Sequence, residues 1–259
     1  MIIFLKQNNF KMNTIQTLQE LRQLKLTGMA ASYQAQLELP LHQQLESHEL
    51  IAELTQAEIL EQSNDRAAYY LKLAKLRLNA LPENIDCSPG RNLTKQQLHL
   101  LLQSLYIKQG EPILITGSTG SGKSFLACAL AHQACTQGYR TLYFNMNRFI
   151  EKIAQARLDG SYLKLLDHME RTPLIVLDDF GLQSLDQQLK ITLLQILEDR
   201  YAKKSIIIVS QLPVAKWHEF LNEPTLADAI MDRLIYNAHK LDLKGPSMRE
   251  RGAKTAEFG

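Results

Sequence analysis

Eight consecutive residues, Gly117-Ser118-Thr119-Gly120-Ser121-Gly122-Lys123-Ser124, have the types and spacing to hold a phosphate chain. Glycine admits backbone conformations closed to other residues, so successive amide N–H groups can turn inward around one anion. Lys123 adds a cationic reach toward β and γ phosphates, and the Ser124 hydroxyl is a ligand for Mg²⁺. A metal held in this way needs a carboxylate from a second element, because Mg²⁺ keeps several waters and takes few protein oxygens. Leu174-Ile175-Val176-Leu177-Asp178-Asp179 offers one at the end of an apolar run. Asp178 is the expected metal-side acid. Asp179 points differently and is the candidate to orient an attacking water, although adjacent aspartates after a strand also serve as caps of the next helix. ATP with Mg²⁺ is the expected occupant, and hydrolysis the expected chemistry.

Such a loop works only between a strand and a helix, and the flanking sequence supplies both: PILIT (112–116) before it and the apolar FLACALAHQA after it. TLYFN (141–145), PLIVLD (173–178) and SIIIVS (205–210) follow, each separated by room for a helix, and KLDL (240–243) reads as a fifth, short strand. Near-continuous Ile, Leu and Val runs indicate strands covered on both faces, hence a parallel sheet between helical layers, an α/β fold. Ligands of such sheets collect at the carboxyl ends of the strands, where Asp178 falls. SIIIVS delivers Ser210 and Gln211 to the same edge, as contacts to the γ-phosphate or water, or as turn residues. Trp217 and Leu221, four apart, read as the packed face of a short helix.

Residues 13 to about 80 read as helical, divided by Pro40, with a long helix beginning near Ser47. In TIQTLQELRQL the apolar Ile15, Leu18, Leu21 and Leu24 recur every third residue, one face of an amphipathic helix. Charge reverses along this stretch: from Glu20 to Asp65 only Arg22 and Lys25 oppose many acids, whereas Arg66, Lys72, Lys75 and Arg77 meet no acid before Pro82. The second cluster can bind DNA phosphates or simply complement a helix end. LPENIDCSPGRNL then reads as a linker. The C-terminal stretch carries Arg233, Lys240, Lys244, Arg249, Arg251 and Lys254, to serve ATP, a neighbouring subunit or DNA.

Composition sets the frame. With 259 residues, 45% hydrophobic and 22% charged, the chain has ordinary globular usage, which excludes a disordered or collagenous protein. Basic residues number 29 and acidic 27, a balance of +2, so nucleic-acid binding must rest on local patches. Three scattered cysteines, Cys87, Cys128 and Cys135, form no disulfide framework and suit a reducing compartment. The opening MIIFLKQNNFK has no cleavage-type small residues, and no run reaches the roughly 18 apolar residues of a membrane span. A cytoplasmic location without membrane insertion is the expectation.

MNTIQTLQELRQLKLTGMA from Met12, GSTGSGKS, LIVLDDFG, SQLPVAKWHE and above all ADAIMDRLIYNAHKLDLKGPSMR resemble the IstB-like helper ATPases of insertion-sequence transposition, an AAA+ group similar to DnaC helicase loaders. The resemblance implies an AAA+ ATPase domain over 84–259 with a five-stranded parallel sheet, a small helical DNA- or partner-binding domain over 12–83, and residues 1–11 as an upstream start extension. It also implies an ATP-dependent oligomer that encloses and remodels duplex DNA and recruits or activates a cognate transposase. By the same resemblance Arg233 completes a neighbouring subunit's site, Gln211 occupies the polar sensor position, and Arg249 lies near the nucleotide. Asp179 stands where many AAA+ enzymes carry glutamate, so slow hydrolysis without DNA or transposase is expected. The alternatives are a helicase loader on single-stranded DNA, a small-molecule kinase, and a nucleotide-gated switch without turnover.

Overall fold

The computed structural model describes residues 14–248. The proposed start extension and Arg249 lie outside the described residues. The chain divides into two compact units at Arg66/Ala67.

In the first unit, α1 (Thr14–Gln23) is followed by α2 (Thr27–Glu38) and by α3 (Ser47–Ala74), which continues past the division. Leu39 is extended ahead of Pro40, as the ring of a following proline requires, and this ends α2. Gly28 at the start of α2 lies so close to α3 that a Cβ there would sit 2.5 Å from the Ala57 carbonyl oxygen. Glu58, 5% exposed, accepts a hydrogen bond from the Met29 N–H at 3.1 Å, tying the start of α2 to α3. Ile15 and Leu24 of the expected apolar stripe are exposed.

The second unit carries α4 (Lys95–Leu102) and α5 (Leu105–Gln109), then β1 (Ile113–Gly117), α6 (Lys123–Thr136), β2 (Thr141–Asn145), α7 (Met146–Leu158), α8 (Tyr162–Arg171) and β3 (Leu174–Phe180). It closes with α9 (Gln187–Arg200), β4 (Ser205–Ser210), α10 (Trp217–Leu221), α11 (Pro224–Ile235) and β5 (His239–Leu243). The strands form one sheet in the order β2-β3-β4-β1-β5, with every pairing parallel. The α/β expectation holds, and the strands fall within a residue or two of the sequence reading. Alternation sorts the strand side chains by face. Ile113, Ile115, Val176, Ile207 and Val209 join α4, α5 and α6 in one core, whereas Leu114, Ile175, Leu177, Ile206 and Ile208 join α7 through α11 in the other. Trp217 and Leu221 are fully buried in the second core.

Residues 67–83, grouped with the helical domain in the sequence reading, fall in the compact unit of the sheet. Packing explains it: Ala80 is wholly buried against Cys128 and Ala129 of α6, with Leu76 and Ile85 alongside. Arg200 is 2% exposed and donates to four backbone carbonyls, those of Met169, Thr172, Pro173 and Ser205, fastening the end of α8 to the amino ends of β3 and β4. No helix among the described residues is long and apolar enough to cross a membrane.

Candidate functional site

The site grows from the carboxyl edge of the sheet. β1 ends at Gly117, whose φ of +143° and approach to the Leu243 carbonyl of β5 exclude any Cβ. The chain turns through Gly120 and Gly122, both at positive φ, into the N-terminus of α6. Amide N–H groups and the positive end of the helix dipole therefore face one region, suited to an anion. Lys123 is 7% exposed and its Nζ donates to the Ser118 carbonyl at 2.7 Å. A cavity of about 300 Å³ opens before the loop, lined by Thr119, Gly120, Lys123, Ser124, Asp179 and Gln211 among others.

β4 lies between β1 and β3, and β3 brings Asp178 to this edge, fully buried. Ser124 Oγ donates to Asp178 Oδ1 at 3.2 Å, so helix and strand present a hydroxyl and a carboxylate together. Those hard oxygens suit Mg²⁺, and the paired Ser124 and Asp178 fit the ion the sequence calls for. Asp178 also accepts from the Tyr143 hydroxyl and from the Asp179 N–H. Burial first, and then the neighbouring Asp178 carboxylate, raise the Tyr143 pKa above the ordinary phenol value, so this hydroxyl stays a proton donor.

Asp179 sits in a register irregularity between Leu177 and Phe180, at a left-handed φ of +63°. Such an irregularity re-aims a side chain. Its carboxylate accepts from Asn145 Nδ2, at the end of β2 where the register pairs Asn145 with Asp178, and from Arg77 Nη1 at 3.1 Å. Arg77 also lies 3.9 Å from Asp178. One guanidinium thus spans both acids.

Gln211 accepts from Thr119 Oγ1 at 2.9 Å and so touches the loop. Ser210 is engaged in the turn: its Oγ donates to the Phe180 carbonyl at 2.6 Å and accepts from the Leu212 N–H at 3.0 Å. Arg66 and Lys72 are exposed on α3, Lys75 follows it at a φ of +51°, and Arg77 is committed to the acids. Arg233 stands apart. It pairs with Glu198 at 2.9 Å and Asp232 at 2.6 Å, and shares a cavity with Pro112 and Lys204 at the amino edge of the sheet. The strand length between the two edges is about 16 Å for five residues.

Tyr143, Asn145 and the engagement of Arg77 were not read from sequence. The carboxyl-edge rule that selected Asp178 also selects Asn145, the last residue of TLYFN, so that signal was present. A second cavity of about 250 Å³ borders the loop at Ser121 and Gly122, with Ile85, Leu93, Phe125 and Leu243 as apolar walls.

A glycine-rich loop facing an acid across an interposed strand, within this all-parallel order, defines a P-loop nucleotide-binding domain. Solved structures share the fold: DnaI (TM-score 0.55, 19% identity, 65% of this chain and 90% of that one) and the DnaC helicase loader (TM-score 0.54, 21% identity, 66% of this chain and all of that one). The chain belongs to the IstB-like ATP binding protein family, which it matches over residues 19–256. It is 41% identical over 233 residues to an insertion sequence ATP-binding protein of Sinorhizobium fredii, covering 90% of this chain and 95% of that one. It is 25% identical over 236 residues to the insertion sequence IS21 ATP-binding protein of Pseudomonas aeruginosa, covering 91% of this chain and 89% of that one.

Proposed function

We propose that this insertion-sequence-associated ATP-binding protein is a transposition helper: with ATP and Mg²⁺ it assembles on duplex DNA, remodels the target and recruits or activates the cognate transposase. The observation that carries the reading is the separation of Arg233 from the phosphate loop. Its place at the opposite edge of the sheet, away from the site of its own chain, supports the reading that it serves a neighbour's site and so ties turnover to assembly.

Within the site, the loop amides and Lys123 hold the phosphates, and Ser124 with Asp178 holds the metal. Mg²⁺ supplies positive charge to the phosphate oxygens. Asp179 and Gln211 are the polar groups that orient the attacking water, and a neighbour's Arg233 stabilises charge on the transferring phosphoryl oxygens. The cavity walled by Ile85, Leu93, Phe125 and Leu243 suits the flat apolar faces of the base. Asp179 is shared between Arg77 and Asn145, which supports slow hydrolysis until DNA or transposase rearranges those partners. Arg66, Lys72 and Lys75 are the proposed phosphate contacts to DNA, and the helical stretch as far as Arg66 is the proposed DNA- or partner-binding domain ahead of the ATPase domain.

Sizing the protein with and without ATP and duplex DNA tests this. A large DNA-bound particle that forms only with nucleotide is expected; a monomer under every condition would overturn it. The fold shared with DnaC and DnaI supports a second reading, a helicase loader. Stimulation of ATP hydrolysis by duplex rather than single-stranded DNA separates the two.

A further inference from the structure

The outermost strand β2 borders a cavity of about 700 Å³ that is more than twice the volume of the one before the phosphate loop. Every residue from Leu142 to Asn145 lines it, together with Arg140. Neighbouring strand residues point to opposite faces, so a cavity touching all of them runs along the strand's edge rather than over one face. Leu73–Arg77, at and just beyond the end of α3, line it as well, with Arg148 and Lys152 from α7 and Leu165 and His168 from α8.

The lining is predominantly cationic. Lys75, Arg77, Arg140, Arg148, Lys152 and His168 face the cavity, and no aspartate or glutamate does. Of the five lysines and arginines only Arg77 forms an ion pair with a described carboxylate. Arg140 Nε and His168 Nε2 are buried with no hydrogen-bond partner. Burial first, and then the neighbouring Arg140 and Lys152, lower the His168 pKa. Between the cations lie Leu73, Leu76, Leu142, Phe144 and Leu165.

We infer that this cavity is a docking site for an extended acidic segment of a partner protein, which adds along the free edge of β2 and sets carboxylates against the unpaired cations. A sheet edge presents a row of backbone donors and acceptors that an extended peptide satisfies, with alternate side chains reading the walls. Acidic residues of the segment would meet Arg140, Arg148 and Lys152, and apolar ones interspersed with them would meet Leu142, Phe144 and Leu165. A nucleic-acid strand fits less well: of the aromatic rings in the lining Tyr143 is committed to Asp178 and His168 is partly buried, which leaves Phe144 and no stacking platform for successive bases.

The test uses fluorescein-labelled Glu-Val-Glu-Val-Glu-Val-Glu, its lysine-for-glutamate counterpart and a ten-nucleotide oligothymidine, each titrated against the full chain by anisotropy. Arg148 and Lys152 are exposed on α7 and outside the ATPase site, so the doubly substituted R148E/K152E chain keeps the fold, checked by its thermal transition, with R148Q/K152Q as the milder pair. Saturable binding of the acidic peptide but not of its lysine counterpart is expected, weakened by about tenfold or more in R148E/K152E and less in R148Q/K152Q, and weakened by salt, while oligothymidine binding elsewhere on the chain stays unchanged in both variants. No binding of the acidic peptide, unchanged binding in both variants, or an equal loss of oligothymidine binding would each overturn the assignment.

Discussion

The left-handed backbone at Asp179 restricts what that position can hold. Asparagine and aspartate tolerate a φ of +63° better than longer side chains, so the irregularity itself favours the short acid where many AAA+ enzymes carry glutamate. The same bend presents the carboxylate to Arg77, which bridges both acids. A metal entering between Ser124 and Asp178 competes with that guanidinium for the same negative charge. Arg77→Ala is therefore expected to lower the magnesium concentration needed for binding a fluorescent ATP analogue by roughly 2- to 5-fold, the worth of a half-exposed ion pair. A raised requirement would mean that Arg77 holds the acids in place for the ion instead. The loop and Asp178 were legible because each is a local pattern whose chemistry depends on a few adjacent residues. Arg77 read as a DNA contact because its partner is a hundred residues away and no local pattern announces it. Tyr143 was hidden similarly, since its hydroxyl meets Asp178 only through the β2–β3 pairing.

At the scale of elements, two junctions carry measurable weight. Gly28→Ala forces a methyl against the Ala57 carbonyl and the Glu58 Cα and must push α2 from α3; a loss of about 1–3 kcal/mol is expected in denaturant unfolding of the helical unit. The Glu58 bonds add an acid dependence. Hydrogen bonds from Gln62 first, and then the Met29 N–H, hold its carboxyl below the usual glutamate range. Its folded-state pKa is depressed, so its contribution is complete above the unfolded value of about 4.3 and is lost as pH falls through the folded one. Circular dichroism of Glu58→Gln should show a flatter acid transition than the parent. Arg200→Met, which strips four carbonyls of their donor, is expected to destabilise the sheet unit by about 3 kcal/mol. The strands were legible from their aliphatic runs, and TLYFN and SIIIVS match to the residue. Arg200 was not, because LEDRY gives no sign that its arginine turns inward to close two strand ends.

For the whole molecule, the distance between Arg233 and the phosphate loop makes the proposed site divisible between chains. Lys123→Ala subunits lose ATP binding but still offer Arg233; Arg233→Ala subunits bind ATP but offer no arginine. Each alone is expected to be inactive, and mixing them should restore part of the turnover, because some adjacent pairs then hold one complete site. Persisting inactivity in mixtures that demonstrably co-assemble would argue that Arg233 acts within its own chain or only structurally. Beyond β5 the chain doubles back: the Met248 N–H donates to the Gly120 carbonyl at 2.9 Å, and a Cβ at Gly120 would run into Ser247. That single bond makes one amide proton a built-in reporter. Deuterium uptake at Met248 tracks how firmly the loop's own carbonyl is held, and a phosphate that reshapes the loop should register there without any label.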